Sequence, residues 1–207
     1  MEIITIKKTD ALFPAAFLAI GEECPAQIYA MGNLALLTRE KKVAIIGARR
    51  ASRQGAAKAY ELGVRYAREG YVVVSGLALG CDAAAHRGCL DAGGETIAIV
   101  GSGLNIVHPA ENTPLQEAIL RSGGLVFSEQ PLGTKAAPRL LVARNRLQAA
   151  LSDAVVVAEC PEHSGTMHTV RFAQTYGKPV RAVRYPVANA FNTGNALIIN
   201  TGIGTAL

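Results

Sequence analysis

Short apolar runs separated by amphipathic stretches set the rhythm of this chain from residue 43 onward. Val43 to Ile46, Tyr71 to Val74, Thr96 to Val100, Leu125 to Phe127, Ala154 to Ala158 and Pro179 to Val183 are compact and mostly β-branched or aromatic, as expected of strands covered on both faces of a parallel sheet. Between them, residues 55–69 place Ala59, Leu62, Gly63, Tyr66 and Ala67 on one helical face, and further helices are expected over 83–90, 111–121, 139–151 and 164–176. Strands alternating with helices imply right-handed crossovers, hence an α/β fold with a doubly wound, mainly parallel sheet of Rossmann-like type. Residues 1–40 do not keep this rhythm, being broken at Phe13-Pro14 and Cys24-Pro25. They are expected as a short N-terminal extension packed on a core domain over 41–207.

In such a sheet ligands bind beyond the carboxyl ends of the strands. Gly47-Ala48-Arg49-Arg50, Ser75-Gly76, Gly101-Ser102-Gly103 and Ser164-Gly165-Thr166 each follow a strand, so all are expected along one sheet edge. Arg49, Arg50 and Arg53 sit where the first helix begins. Guanidinium forks there can hold phosphates beside free helix N–H groups, or simply form a solvated basic helix start. The turn from Ser75 through Gly76 and Leu77 to Gly80 joins strand to helix, another place that attracts anions. Asp82 and His86, four residues apart, fit an acid–base pair; the preferred reading is a helix cap and a packed neighbour that support the turn. Arg144 and Arg146 flank Asn145 and, two residues apart, leave their helix on different faces.

Composition narrows the chemistry. At 207 residues the chain suits one well-cored domain with an appendage. Half of it is hydrophobic, with 5% aromatic residues and 21 glycines, which favours a small-residue α/β protein over a sandwich. A net charge of +5 permits an anionic partner. There is no G-x-G-x-x-G with an acidic ribose clamp, no G-x-x-x-x-G-K-[ST] and no G-x-S-x-G around Ser75, so dinucleotide redox, P-loop NTPase and serine-hydrolase readings lose their support. Cys24, Cys81, Cys89 and Cys160 form no C-x-x-C pair, and the histidines form no H-x-x-x-H. No metal or cofactor is expected. The N-terminus lacks a signal-peptide core and no apolar run approaches the ~20 residues that span a bilayer, so the expectation is a cytoplasmic protein that does not enter membranes.

G-A-R-R after the first strand, V-S-G-L-A-L-G-C-D-A-A-A-H-R-G-C-L, G-G-E-T-I-A-I-V-G-S-G-L, H-P-A-E-N, R-N-R-L-Q-A-A-L-S and the S-G-T loop follow one another in order. Together they resemble the Rossmann-like core of the DNA-processing protein DprA (Smf) family, over about residues 12–204. The resemblance implies single-stranded DNA binding, a homodimer, delivery of the strand to a RecA-type recombinase during transformation or recombination, and no enzymatic activity. Carried over by motif, the DNA contacts fall on Arg49, on Ser75, Gly76 and Leu77, on Arg144, Asn145 and Arg146, and on Ser164, Gly165 and Thr166. The chain departs from the family where an N-F-P stretch usually precedes R-R-N-R: here Leu140 to Ala143 stand instead, without an aromatic able to stack a base. The helical and winged-helix-like domains that flank the core in many members have no counterpart in these residues.

Two other functions fit parts of this pattern. One is a module that senses a nucleotide or nucleotide derivative. The other is a LOG-like phosphoribohydrolase, a group that resembles P-G-G-x-G-T-x-x-E. Here Thr166 is followed by Met167, His168, Thr169 and Val170, with no carboxylate in that position.

Overall fold

A computed structural model describes residues 1–207. The first forty residues supply β1 (Ile4–Lys7), α1 (Ala15–Leu18) and β2 (Gln27–Gly32). From there the chain alternates: β3 (Lys42–Ile46), α2 (Arg53–Arg68), β4 (Val72–Ser75), α3 (Cys81–Asp91), β5 (Thr96–Ile99), α4 (Thr113–Arg121), β6 (Leu125–Ser128), α5 (Pro138–Leu151), β7 (Ala154–Val157), α6 (Thr166–Thr175), β8 (Val180–Ala182), α7 (Thr193–Asn200) and β9 (Thr205–Ala206). They build one nine-stranded sheet in the order β1-β2-β6-β5-β4-β3-β7-β8-β9. The strands from β3 to β9 run parallel to one another, and β2 pairs antiparallel with both β6 and β1. The mixed α/β, Rossmann-like fold expected from the sequence is present.

Helices cover both faces because neighbouring strand residues point oppositely. Val43, Ile45 and Val73 pack with Ala59, Leu62 and Tyr66 of α2 and Ala85 and Cys89 of α3. Ala44, Ile46, Val155 and Val157 pack on the other side with Ala149 of α5 and Val170 and Ala173 of α6. The glycine and alanine content has a local cause in the first of these layers. A Cβ on Gly63 would strike the Ala85 carbonyl oxygen, and one on Gly88 would strike that of Tyr60. The α2 and α3 backbones therefore touch directly.

Two stretches add to the sheet beyond the expected strands. Residues 1–40 contribute β1 and β2, with Ile28 and Ala30 buried between partly exposed neighbours in the alternation of a half-covered strand. β2 pairs with β6 and so covers what would be an open edge. Phe17 of α1, fully buried, lies against Phe127 with ring centroids 6.0 Å apart, a burial that stabilises by about 2 kcal/mol. At the opposite edge, α7 and β9 follow β8, beyond Val183 where the strand–helix pattern of the sequence stops. No helix is long and apolar enough to cross a membrane.

Candidate nucleic-acid interface

After β3 the chain winds outward through β4, β5 and β6, then returns to place β7 on the other side of β3. The switch point therefore lies between the carboxyl ends of β3 and β7, where loops diverge and leave a crevice. A cavity of about 750 Å³ opens there, within the size range of ligand sites. Its lining includes Arg49 and Arg50 after β3, Arg144, Asn145 and Gln148 of α5, and the Ser164-Gly165-Thr166 start of α6. Sequence loops remote from one another meet at one place.

Arg144 lies at the inner end of this cavity with only 4% of its surface exposed. Its Nη1 donates to the Gly76 carbonyl at 2.8 Å and also to that of Ile99. Burial pulls its pKa down to about 10, which the Asp82 charge resists and the Arg49 charge reinforces. Its Nε and the neighbouring Gln148 Nε2 are buried and find no partner within the protein, and neither does the buried Ser164 Oγ elsewhere in the lining. Unpaired buried donors cost about 1–3 kcal/mol each, so this corner of the cavity favours an acceptor.

The turn after β4 stands behind Arg144. Ser75, expected as a ligand contact, is fully buried, and its Oγ donates to the Ile45 carbonyl at 2.6 Å. The Gly76 N–H, expected to be free for an anion, donates to Asp82 Oδ2 at 3.1 Å. Leu77 is buried at a φ of +57°, and its carbonyl accepts from Asn112 Nδ2 at 2.8 Å. The Ser75 hydroxyl, the Gly76 N–H and the carbonyls of Gly76 and Leu77 are thus all engaged within the protein, and these groups buttress the site from within. Asp82 is not the cap of α3; Gly80 occupies that position, and Asp82 sits in the first turn with its carboxylate directed to the Gly76 N–H. Burial pushes the Asp82 pKa up, and the Arg144 charge works against that.

His86 makes no hydrogen bond to Asp82. It is wholly buried, with Nδ1 2.7 Å from Thr96 Oγ1. That hydroxyl's own proton goes to the Val73 carbonyl at 2.7 Å, so Nδ1 must be the donor and Nε2 is left bare and unpartnered. Burial, aided by Arg144, presses the His86 pKa down to about 3. It is a neutral core histidine, one layer behind the site.

The start of α2 is organised by a residue the sequence reading passed over. Glu159, 1% exposed, accepts from the Ser52 N–H and the Ser52 hydroxyl, each at 2.7 Å, and Ser52 Oγ in turn accepts from the Gly55 N–H at 3.0 Å. A carboxylate of the protein itself therefore occupies this helix N-terminus. Arg49 and Arg50 remain exposed on the cavity, whereas Arg53, the first residue of α2, lies outside its lining. The N-terminus of α6 differs: Gly165 occupies its cap position without any side-chain cap, and Asn145 Nδ2 holds the Gly165 carbonyl at 3.3 Å.

Other expected contacts are placed elsewhere. Arg146 grips both oxygens of Glu129, at 2.7 and 2.5 Å, while its Nε donates to the Glu23 carbonyl at 2.8 Å. It fastens α5 to the end of β6 and to the N-terminal segment. Gly101, Ser102 and Gly103 are buried: Ser102 Oγ donates to the Ile106 carbonyl at 2.8 Å, and the Gly103 N–H to that of Thr134 at 2.9 Å. Gly103 lies against residues 131–133 and Gly101 against Leu140 and Leu141 of α5, and none of the three loop residues lines the cavity. No group of His, Cys, Asp or Glu side chains is arranged to hold a metal ion. All four cysteines are free and buried, and burial pushes the Cys81 and Cys89 thiols up to about 12.

Asn195 of α7, 1% exposed, is a second residue with no sequence signal. Its Oδ1 accepts from the Cys160 N–H at 2.8 Å, and its Nδ2 lies 3.0, 3.1 and 3.3 Å from the carbonyl oxygens of Ala158, Val183 and Val157. This one amide joins the ends of β7 and β8 to α7 and fixes the start of the loop that carries Ser164.

Residues 3–207 match the family described as DNA recombination-mediator protein A. Protein Smf of Synechocystis is 39% identical over 138 residues, which is 67% of this chain and 34% of that protein. DNA processing protein DprA of Streptococcus pneumoniae is 37% identical over 180 residues, 87% of this chain and 63% of that protein. The chain thus spans between about a third and two thirds of the length of these relatives. The X-ray structure of the Streptococcus pneumoniae protein superimposes with a TM-score of 0.91 at 33% identity, over all of this chain and 71% of that one. A Helicobacter pylori DprA structure, whose subject is a single-stranded DNA binding mode, superimposes with a TM-score of 0.88 at 30% identity, over all of this chain and 91% of that one.

Proposed function

Since the chain belongs to the DNA recombination-mediator protein A (DprA/Smf) family, we propose that the switch-point cavity binds single-stranded DNA through its phosphates, without reading sequence and without covalent chemistry. One observation carries this reading: the buried Arg144, with unpartnered donors beside it, shares a cavity with the exposed Arg49 and Arg50 and the uncapped start of α6. Guanidiniums and free backbone N–H groups suit phosphate oxygens and carry no base code. Among the lining residues the single carboxylate is Asp82, and it is held by the Gly76 N–H. The strand would be handed to a RecA-type recombinase in the cytoplasm, with the protein acting as a homodimer.

The test is a salt titration of oligothymidylate binding. With about three phosphates engaged, log affinity should fall against log salt with a slope near −2. Arg49→Ala and Arg50→Ala, both at exposed positions, should weaken binding and flatten that slope. A salt-independent affinity, or unchanged binding in both variants, overturns the reading. A second reading, a pocket for a free nucleotide, draws on the size of the cavity. It is favoured if a mononucleotide binds at micromolar level while oligothymidylate does not bind.

A further inference from the structure

We propose that Phe191 is the platform on which a nucleobase of the bound strand stacks, so that the cavity takes one unstacked base together with its phosphate. The proposal rests on the reading that the cavity holds nucleic-acid phosphates. Phe191 is the one Phe, Tyr or Trp ring in the lining, and 44% of its surface is exposed. Exposed phenyl rings are unfavourable in water, and the loop that carries this one is held by a hydrogen-bond network.

The network is built from two asparagines. Asn189 Oδ1 accepts from the Phe191 N–H at 2.8 Å, Asn192 Oδ1 accepts from the Asn189 N–H at 3.0 Å, and Asn192 Nδ2 donates to the Val187 carbonyl at 3.1 Å. Asn192 is itself only 2% exposed. The loop is then tied to the wall bearing Ser164, since Thr193 Oγ1 accepts from the Glu162 N–H at 3.0 Å and the Gly194 N–H donates to the Cys160 carbonyl at 2.9 Å. The backbone that carries the ring is thus held before any ligand arrives, and less freedom remains to be lost on binding. Leu141 and Val142 of α5 add apolar lining to the same cavity, suited to the edge or second face of a base. Every base has a π face, so the platform accepts any sequence.

The decisive comparison uses the full chain, wild type and Phe191→Ala, Phe191→Leu and Phe191→Tyr, binding to oligothymidylate and to an abasic oligonucleotide of equal length. Wild type should prefer the base-bearing strand. Phe191→Ala and Phe191→Leu should weaken oligothymidylate binding about tenfold or more, leave the salt slope unchanged, and abolish the preference over the abasic strand; Phe191→Tyr should retain it. If Phe191→Ala binds oligothymidylate as wild type does while Arg49→Ala binds weakly, the stacking role is overturned and the phosphate reading stands. An altered salt slope in Phe191→Ala overturns it too, since the residue would then be shaping the phosphate site. If wild type binds neither strand, the phosphate reading fails, and the platform with it.

Discussion

Asp82 and Arg144 grip the same residue from opposite ends: Asp82 Oδ2 accepts the Gly76 N–H at 3.1 Å, and Arg144 Nη1 donates to the Gly76 carbonyl at 2.8 Å. A Cβ at Gly76 would fall 2.5 Å from that Nη1 and 2.6 Å from Gln148 Nε2. A bare peptide unit is therefore what lets a buried guanidinium and a buried carboxylate coexist. Removing the Asp82 carboxylate leaves the buried Gly76 N–H without its acceptor and Arg144 without that opposing charge, at about 1–3 kcal/mol. Asp82→Ala should lower stability to denaturant by that order, and Asp82→Asn, which keeps an acceptor for the Gly76 N–H, should lose less.

His86 gives the protein an acid limit. Its pKa is about 3 in the folded chain against 6.5 as the reference value, so below pH 6.5 the unfolded chain binds a proton that the folded one refuses. Stability from this group is complete above pH 6.5 and is lost as pH falls from there toward 3, with a slope of up to about 1.4 kcal/mol per pH unit. Denaturation midpoints between pH 4 and 7 should show that slope in wild type. In His86→Gln, which cannot titrate, the dependence should be shallower by that amount.

Arg146 should separate stability from binding. Its fork on Glu129 is mostly enclosed, with the two side chains 13% and 14% exposed, so Arg146→Ala should cost about 3 kcal/mol in denaturant unfolding. Under native conditions its affinity for oligothymidylate should stay at the wild-type level. A loss of affinity without a loss of stability would return Arg146 to the DNA surface.

Gly165 should do the reverse. Its φ of −57° and ψ of −22° suit any residue, and nothing lies within 4 Å of an added Cβ. Gly165→Ala should therefore leave stability unchanged or raise it by up to about 1 kcal/mol. The new methyl group projects at the start of α6, so strand binding measured by gel shift should weaken.

The parallel strands were legible because burial on both faces leaves continuous apolar runs, as in Val72 to Val74. β1 and β2 were hidden by the irregular turns around Pro14 and Pro25, and β9 is only two residues long. At the site, chain position told which loops follow strands, and Arg49, Arg50, Arg144, Asn145 and Ser164 to Thr166 do converge on one cavity. It did not tell which polar groups were already engaged. Ser75 is turned inward by the pleat of β4, and Gly101 to Gly103 are covered by residues some thirty positions later in the chain. The spacing of Arg144 and Arg146 predicted divergent directions, but Glu129 as the partner of Arg146 lies on another element. Glu159, Gln148, Phe191 and Asn195 belong to no periodic pattern, and their importance arises only when distant segments meet.

The amide of Asn195 is one of three ties that bind the wall of the cavity to α7, beside those of Thr193 and Gly194. Through these ties the β7 and β8 ends and α7 form one braced unit, from which the segments bearing Ser164 and Phe191 extend. The mouth of the site is therefore governed from the last helix of the chain.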